Sequence, residues 1–207
     1  MRNTLVRWGF VAVIALLMAA PVVYYRYCYT HSKRLREVTP GVLYRSGCMT
    51  APGFREAINR LKIKTIINLQ EEAPDPELPL SYLGGGSQRE SELCRELGVH
   101  FIVFEAGLVP RPFVPTQRPA AIDQFLRIMD DPANYPVLLH CKAGLHRTGV
   151  LVAVYRMEYD GWTPQQAIRE MKDNGFGEFT CSAANDYITQ YILTYERGQR
   201  RGASEDR

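Results

Sequence analysis

Residues 136–149 read PVLLHCKAGLHRTG, a short apolar run that turns abruptly to His140, Cys141, Lys142, two small residues, His146, Arg147 and Thr148. An apolar run with no polar alternation has no side to offer to water, so PVLLH (136–140) reads as a strand in the middle of a sheet. The chain must then leave that sheet by a tight turn and begin a helix. An amphipathic helix is expected from about Arg147 to Tyr159, ended by Gly161.

The remaining segments supply layers for such a strand. GVLYRSG (41–47) reads as a short extended entry, and Thr50 is placed to cap a helix running to Leu61 with Phe54, Ala57, Ile58 and Leu61 on one face. KTIINL (64–69) and VHFIVF (99–104) are β-branched, apolar strands. Between them, residues 71–87 are rich in Pro and Gly and read as loop, and a helix from Arg89 to Leu97 stops at Gly98. AGLVPRPFVP (106–115) is a second proline-broken loop. Thr116 then opens a helix with Ile122, Phe125, Leu126 and Met129 on one face. Thr163-Pro164-Gln165-Gln166 has the form of a capping box with proline at the first helical position. A last helix from about Ser182 is expected to bury Tyr187, Ile188, Tyr191 and Ile192. Strands alternating with helices, without internal repeat, predict an α/β domain with a central, largely parallel sheet of four to five strands flanked by helices.

The positive excess is concentrated at one end. The 207-residue chain carries +3 overall, but residues 1–40 hold six Lys/Arg against Glu37 alone, leaving 19 basic and 21 acidic residues in the rest. A near-neutral body excludes a nucleic-acid binder, which needs a basic face. Trp8 to Tyr25 contains no charge, and 18 such residues nearly span a bilayer as a helix; Tyr24, Tyr25, Tyr27 and Tyr29 suit a membrane interface. The competing reading is a cleaved secretory signal. This run is long for one, and Ala19-Ala20-Pro21 lacks an A-x-A site, so a retained anchor is expected through residues 8–25. Basic residues flank the run on both sides, which leaves its orientation open. The expected organisation is an anchor or signal over 1–30, a basic linker over 31–40, the folded domain over 41–196 and a polar tail over 197–207. Cys28, Cys48, Cys94, Cys141 and Cys181 form no C-x-x-C pair, so neither a zinc ribbon nor a disulfide scaffold is expected.

The chemistry gathers after the PVLLH strand. In open α/β sheets, ligands sit beyond the carboxyl ends of strands, where the next helix begins. A loop in that place can turn its backbone N–H groups toward an anion, and the helix dipole adds to the field. Gly144 would let the backbone bend close to the ligand, and Gly149 would let the helix start tightly packed. Arg147 offers a planar fork that grips two oxygens of a phosphate. Such a cradle also favours the thiolate of a cysteine at its centre. Cys141 is then poised for in-line attack on a bound phosphoryl group, with the Thr148 hydroxyl donating to the sulfur and His140 fixing the loop from below. For Lys142 and His146, an exposed solubilising role and ligand contact are equally open.

HCKAGLHRTG resembles the HCxxGxxR[ST]G loop of the cysteine-dependent protein tyrosine and dual-specificity phosphatases. LYRSG, KTIINL, the PFVP segment, FLRIMDDPANYPVLLHCKAGLHRTG and the later GW extend the similarity over roughly residues 38–180. They resemble the atypical dual-specificity phosphatases of plants, fungi and bacteria, a group that includes enzymes acting on inositol pyrophosphates. The resemblance implies Cys141 as nucleophile and Arg147 as phosphate clamp and transition-state stabiliser. It further implies Lys142, Ala143, Gly144, Leu145, His146 and Arg147 as the phosphate-binding loop, and no metal.

The pattern departs in two places. Members of the wider superfamily usually supply an aspartic acid to protonate the leaving oxygen, whereas AGLVPRPFVPT contains no carboxylate. Glu105, at its edge, is a candidate general acid or else a strand-end surface charge, and Asp123 lies further on in the following helix. Relatives acting on pyrophosphates carry a second lysine in the loop where this chain has Leu145. Weak acid assistance favours a good leaving group such as a phosphoanhydride, while the missing lysine disfavours a highly phosphorylated ligand. A phosphorylated protein is therefore expected first as substrate, and a pyrophosphorylated inositol or a phosphoinositide second. A phosphate-binding pseudophosphatase that docks phosphorylated partners is the non-enzymatic alternative.

Overall fold

Five strands lie in one sheet, and the strand leading into Cys141 is the central one. The computed structural model describes residues 2–81, 85–104, 118–177 and 182–199. The chain opens with helix α1 (Arg2–Arg26), continued by a π-helical turn over Tyr27–His31. Then come β1 (Arg36–Thr39), β2 (Leu43–Gly47), α2 (Ala51–Leu61), β3 (Thr65–Asn68), β4 (Glu77–Pro79) and β5 (Ser87–Arg89). The remainder comprises α3 (Glu90–Leu97), β6 (His100–Val103), α4 (Ala120–Met129), a 3-10 turn at Pro132–Asn134, β7 (Val137–Cys141), α5 (His146–Tyr159), α6 (Pro164–Asp173) and α7 (Ser182–Leu193).

β2, β7, β3 and β6 run parallel, with Leu43 and Thr65 both opposite Val137 and Gly47 opposite Cys141. β1 adds antiparallel at the edge. All five residues of β7 are buried, as a strand covered on both faces requires. Alternation along β7 divides its side chains between two cores. Val137, Leu139 and Cys141 join the core that holds Phe125 and Met129 of α4, Leu151 and Val154 of α5, and Ile192 of α7. Leu138 joins the opposite core with Phe54 and Ile58 of α2 and Leu93 of α3. His140 faces that same side, its ring edge-on to Phe54.

Local signals produce most elements as expected. The Thr50 side chain accepts from Gly53 N at 3.2 Å and caps α2, and the Thr163–Gln166 capping box starts α6. Four expectations are corrected. Residues 31–40 are not simply a linker, because Arg36–Thr39 forms β1; an edge strand needs only one buried residue, and Val38 supplies it. Within 71–87, Glu77–Pro79 pairs with Ser87–Arg89 as a small antiparallel ribbon anchored by the buried Leu78. α5 is not amphipathic, since Thr148 through Tyr155 are all buried between the sheet and helices α4, α6 and α7. α4 begins at Ala120; Thr116, Glu105, the PFVP segment, Cys181 and the Tyr187 side chain lie outside the described residues. At the other end of the chain, the apolar stretch of α1 packs on nothing: Trp8, Leu16, Met18 and Val22 are all more than half exposed.

Candidate active site

The loop between β7 and α5 is held from outside by three residues, one from the segment before β1 and two from β2 and its end. The carbonyl of Lys142 accepts from Cys48 N at 3.3 Å, that of Ala143 from Arg34 Nη1 at 3.1 Å, and that of Gly144 from Arg45 Nη2 at 2.9 Å. In a trans peptide the N–H points opposite to the C=O, so carbonyls drawn outward turn the amides of Ala143, Gly144 and Leu145 inward. Cys141 Sγ lies on that inner side and accepts from Gly144 N at 3.2 Å. No side chain caps α5, whose N-terminus opens on the same loop. A ring of amides and a positive helix end therefore surround one buried thiol, an arrangement that stabilises an anion there.

Gly144 is required by the sheet as well. Its φ is +73°, and a Cβ would stand 2.6 Å from the backbone of Ser46 and Gly47, so the loop approaches β2 closely at this point. Gly149 meets its expectation, since a Cβ there would press on Met171 of α6 at 3.3 Å.

Arg45 lies in the LYRSG segment, to which no site role is assigned from sequence, yet it is buried at 3% exposure beneath the loop. Burial pulls its guanidinium down to about 10, which leaves it charged at neutral pH. The available signal is a lone arginine within a strand whose other residues are apolar or small. Arg34, within the expected linker, also reaches the loop, and the stem of Lys33 lies against Gly47 beside it. Arg34 stacks over Tyr29 at 5.3 Å besides binding Ala143.

Arg147 leads α5 and bonds to the loop that follows β3. Its Nη1 donates to Leu69 O at 3.2 Å and to Glu72 Oε2 at 2.7 Å, and its Nε lies 3.9 Å from Glu71 Oε1. The Arg147 hydrogen bond holds the Glu72 carboxyl below its ordinary range. His140 lies under the loop at 0% exposure, its Nε2 2.7 Å from Oε1 of the equally buried Glu90, a partner 50 positions away that no local pattern indicates. Thr148 Oγ1 is buried and makes no hydrogen bond among the described residues, so the expected donation to sulfur is not made in this structure. Lys142 is exposed, Leu145 is buried, and His146 packs edge-on against Phe176 at 5.4 Å. Asp123 is engaged by Arg118 Nε at 2.9 Å. Glu105 is not described. Among the described residues no cluster of His, Cys, Asp and Glu could hold a metal ion.

Residues 32–204 match the tyrosine phosphatase family. The dual specificity protein phosphatase TpbA of Pseudomonas aeruginosa is 51% identical over 43 residues, 21% of this chain and 20% of that protein. The inositol diphosphatase SIW14 of Saccharomyces cerevisiae is 30% identical over 157 residues, 75% of this chain and 49% of that protein, so the chain spans at most about half of either relative. The structure of the Siw14 catalytic core superposes with a TM-score of 0.59 at 25% identity, covering 79% of this chain and 85% of that one.

Proposed function

The chain belongs to the tyrosine phosphatase family, and from that premise we propose that it hydrolyses phosphate esters through a phosphocysteine at Cys141. Cys141 Sγ attacks phosphorus in line, and the S–P bond forms as the bond to the leaving oxygen breaks. The inward amides of residues 143–145 bind the equatorial oxygens. Arg147 exchanges Glu72 for the phosphoryl group, gripping two of its oxygens and the charge that spreads over them in the transition state. Water then attacks the phosphocysteine and releases phosphate. The Thr148 hydroxyl donates to the departing sulfur, for which its lack of any other partner among the described residues leaves it free. Glu105 is the candidate to protonate the leaving oxygen, the alternative being a strand-end surface charge. Its Glu105→Gln variant should lose far more rate on a phenolate ester than on an activated aryl phosphate; equal losses would exclude the role.

The observation that carries this reading is the outward anchoring of three successive carbonyls, Lys142, Ala143 and Gly144, around one buried thiol. A phosphorylated protein is the substrate class of first choice. The second is a pyrophosphorylated inositol or a phosphoinositide, supported by the absence of a carboxylate from residues 106–116. α1 anchors the enzyme in a membrane through residues 8–25, a reading supported by the exposure of its entire apolar surface.

The test is turnover of para-nitrophenyl phosphate by the full chain in detergent. Hydrolysis that disappears in Cys141→Ser supports the enzyme. Tight phosphate binding without turnover in the wild type would instead identify a docking module.

A further inference from the structure

Lys33 occupies an unusual place for a residue between a terminal helix and a domain. Its carbonyl accepts from Gly47 N at 2.8 Å, and its stem lies on Gly47 so closely that a Cβ there would meet Lys33 Cγ at 2.9 Å. Gly47 is the residue directly opposite Cys141 in the sheet. Lys33 and Arg34 both hold left-handed backbone, φ 24° and 59°, which non-glycine residues adopt at a cost and only where surrounding contacts hold them. Arg34 spends its guanidinium on the Ala143 carbonyl.

The ammonium of Lys33 is left over. It is half-buried at the loop, in the field of Cys141, Cys48, Arg34 and Lys142, and no described carboxylate pairs with it. Burial, and the neighbouring Arg34 and Lys142, lower its pKa, while the two thiol positions raise it. A cation drawn out of water into the company of other cations is unfavourable unless an anion completes the site. The attacked phosphoryl group is already served by the amides and by Arg147, which approaches from the β3 side. A compact ammonium on the β2 side suits a separate set of phosphate oxygens.

We propose that Lys33 is a specificity-determining residue that, with Lys142, binds a second phosphate group adjoining the one seated over Cys141. This rests on the reading of residues 141–147 as a phosphate site. The active site then includes a residue from the segment that joins α1 to the sheet, and within either substrate class a ligand with a second phosphate beside the attacked one binds more tightly than one without it.

Inorganic phosphate and pyrophosphate, titrated by calorimetry into the full-length Cys141→Ser chain in detergent, separate the two claims. Pyrophosphate should bind more tightly than phosphate. Adding Lys33→Met, which keeps the stem and removes the charge, should reduce that preference by at least about fivefold, a modest share of what a charge-assisted contact contributes. Lys33→Arg should restore most of it. An unchanged preference in Lys33→Met, or an equal weakening of both anions, overturns the proposal while leaving the phosphate site standing. Binding of neither anion to the Cys141→Ser chain overturns both.

Discussion

Arg45 Nη2 donates to the Gly144 carbonyl at 2.9 Å, joining the middle of β2 to the loop that carries Cys141. The guanidinium is buried, so the contact is both charge-assisted and shielded from water. Arg45→Met should remove the hydrogen bond and let the Ala143–Gly144–Leu145 backbone relax, since its inward amides depend on that carbonyl. A displacement of about 1 Å at a reacting centre costs on the order of a hundredfold in rate. Loss of a hydrogen bond to a charged group costs about 1.5–3 kcal/mol of stability. Urea denaturation and kcat on para-nitrophenyl phosphate check the two effects. A variant that keeps full kcat would show that the carbonyl needs no anchor.

Gly144→Ala places a methyl group against the backbone of Ser46 and Gly47, with 2.6 Å available, at a φ of +73°. Backbone on both sides leaves nothing to yield except the loop itself. Strain of about 1–3 kcal/mol from the left-handed conformation alone is expected, and the clash adds to it. The melting temperature should fall, and kcat should fall by more than the stability loss explains, because the displaced amides no longer converge on Cys141.

On the phosphate-binding role proposed for Arg147, Glu72 and an incoming phosphate compete for one arginine. Glu72→Gln removes the negative charge 2.7 Å from Arg147 Nη1. Inorganic phosphate should then inhibit several-fold more tightly at neutral pH, a change of about 1 kcal/mol for an exposed ion pair. The Arg147 contact lowers the Glu72 carboxyl, so the tether is present above the ordinary glutamate range and is lost as pH falls through the lowered value. The advantage of the variant should therefore shrink in acid. Weaker phosphate binding in Glu72→Gln would assign Glu72 to orienting Arg147 rather than to occupying it.

Thiol chemistry offers a check that needs no substrate. Burial pushes Cys48 up to about 11 and Cys94 up to about 12, so both are neutral thiols at any pH below those values and ionise only as pH rises through them. Iodoacetamide at pH 7, read by mass spectrometry of peptides, should label Cys141 ahead of Cys48 and Cys94, and inorganic phosphate should protect Cys141. Labelling of Cys48 at a rate equal to that of Cys141 would remove the basis for a selectively activated sulfur.

What the sequence discloses here is local. The Thr50 cap, the Thr163–Gln166 box and the unbroken PVLLH run each act within a few residues, and each element forms where its pattern lies. β1 is harder to see because REVT contributes only Val38 to the core. α5 departs from its expected amphipathic form because helices α4, α6 and α7 cover the sides that the sheet does not. The loop residues could be named from their spacing, but the groups that orient their peptides could not. Arg34 and Arg45 reach Ala143 and Gly144 across 109 and 99 positions of chain, and no local periodicity records such contacts. His140 finds Glu90 by the same kind of long-range meeting.

The junction after α1 has little slack. α1 runs directly into the Tyr27–His31 turn, where the Thr30 carbonyl accepts from Thr50 N at 3.2 Å and His31 Nε2 meets Glu56 Oε2 at 2.9 Å. Were α1 the anchor proposed above, a domain on so short a leash would sample a thin shell of solution beside the lipid headgroups, and its encounters with substrate would depend on how much of it is held at that surface rather than on its bulk concentration.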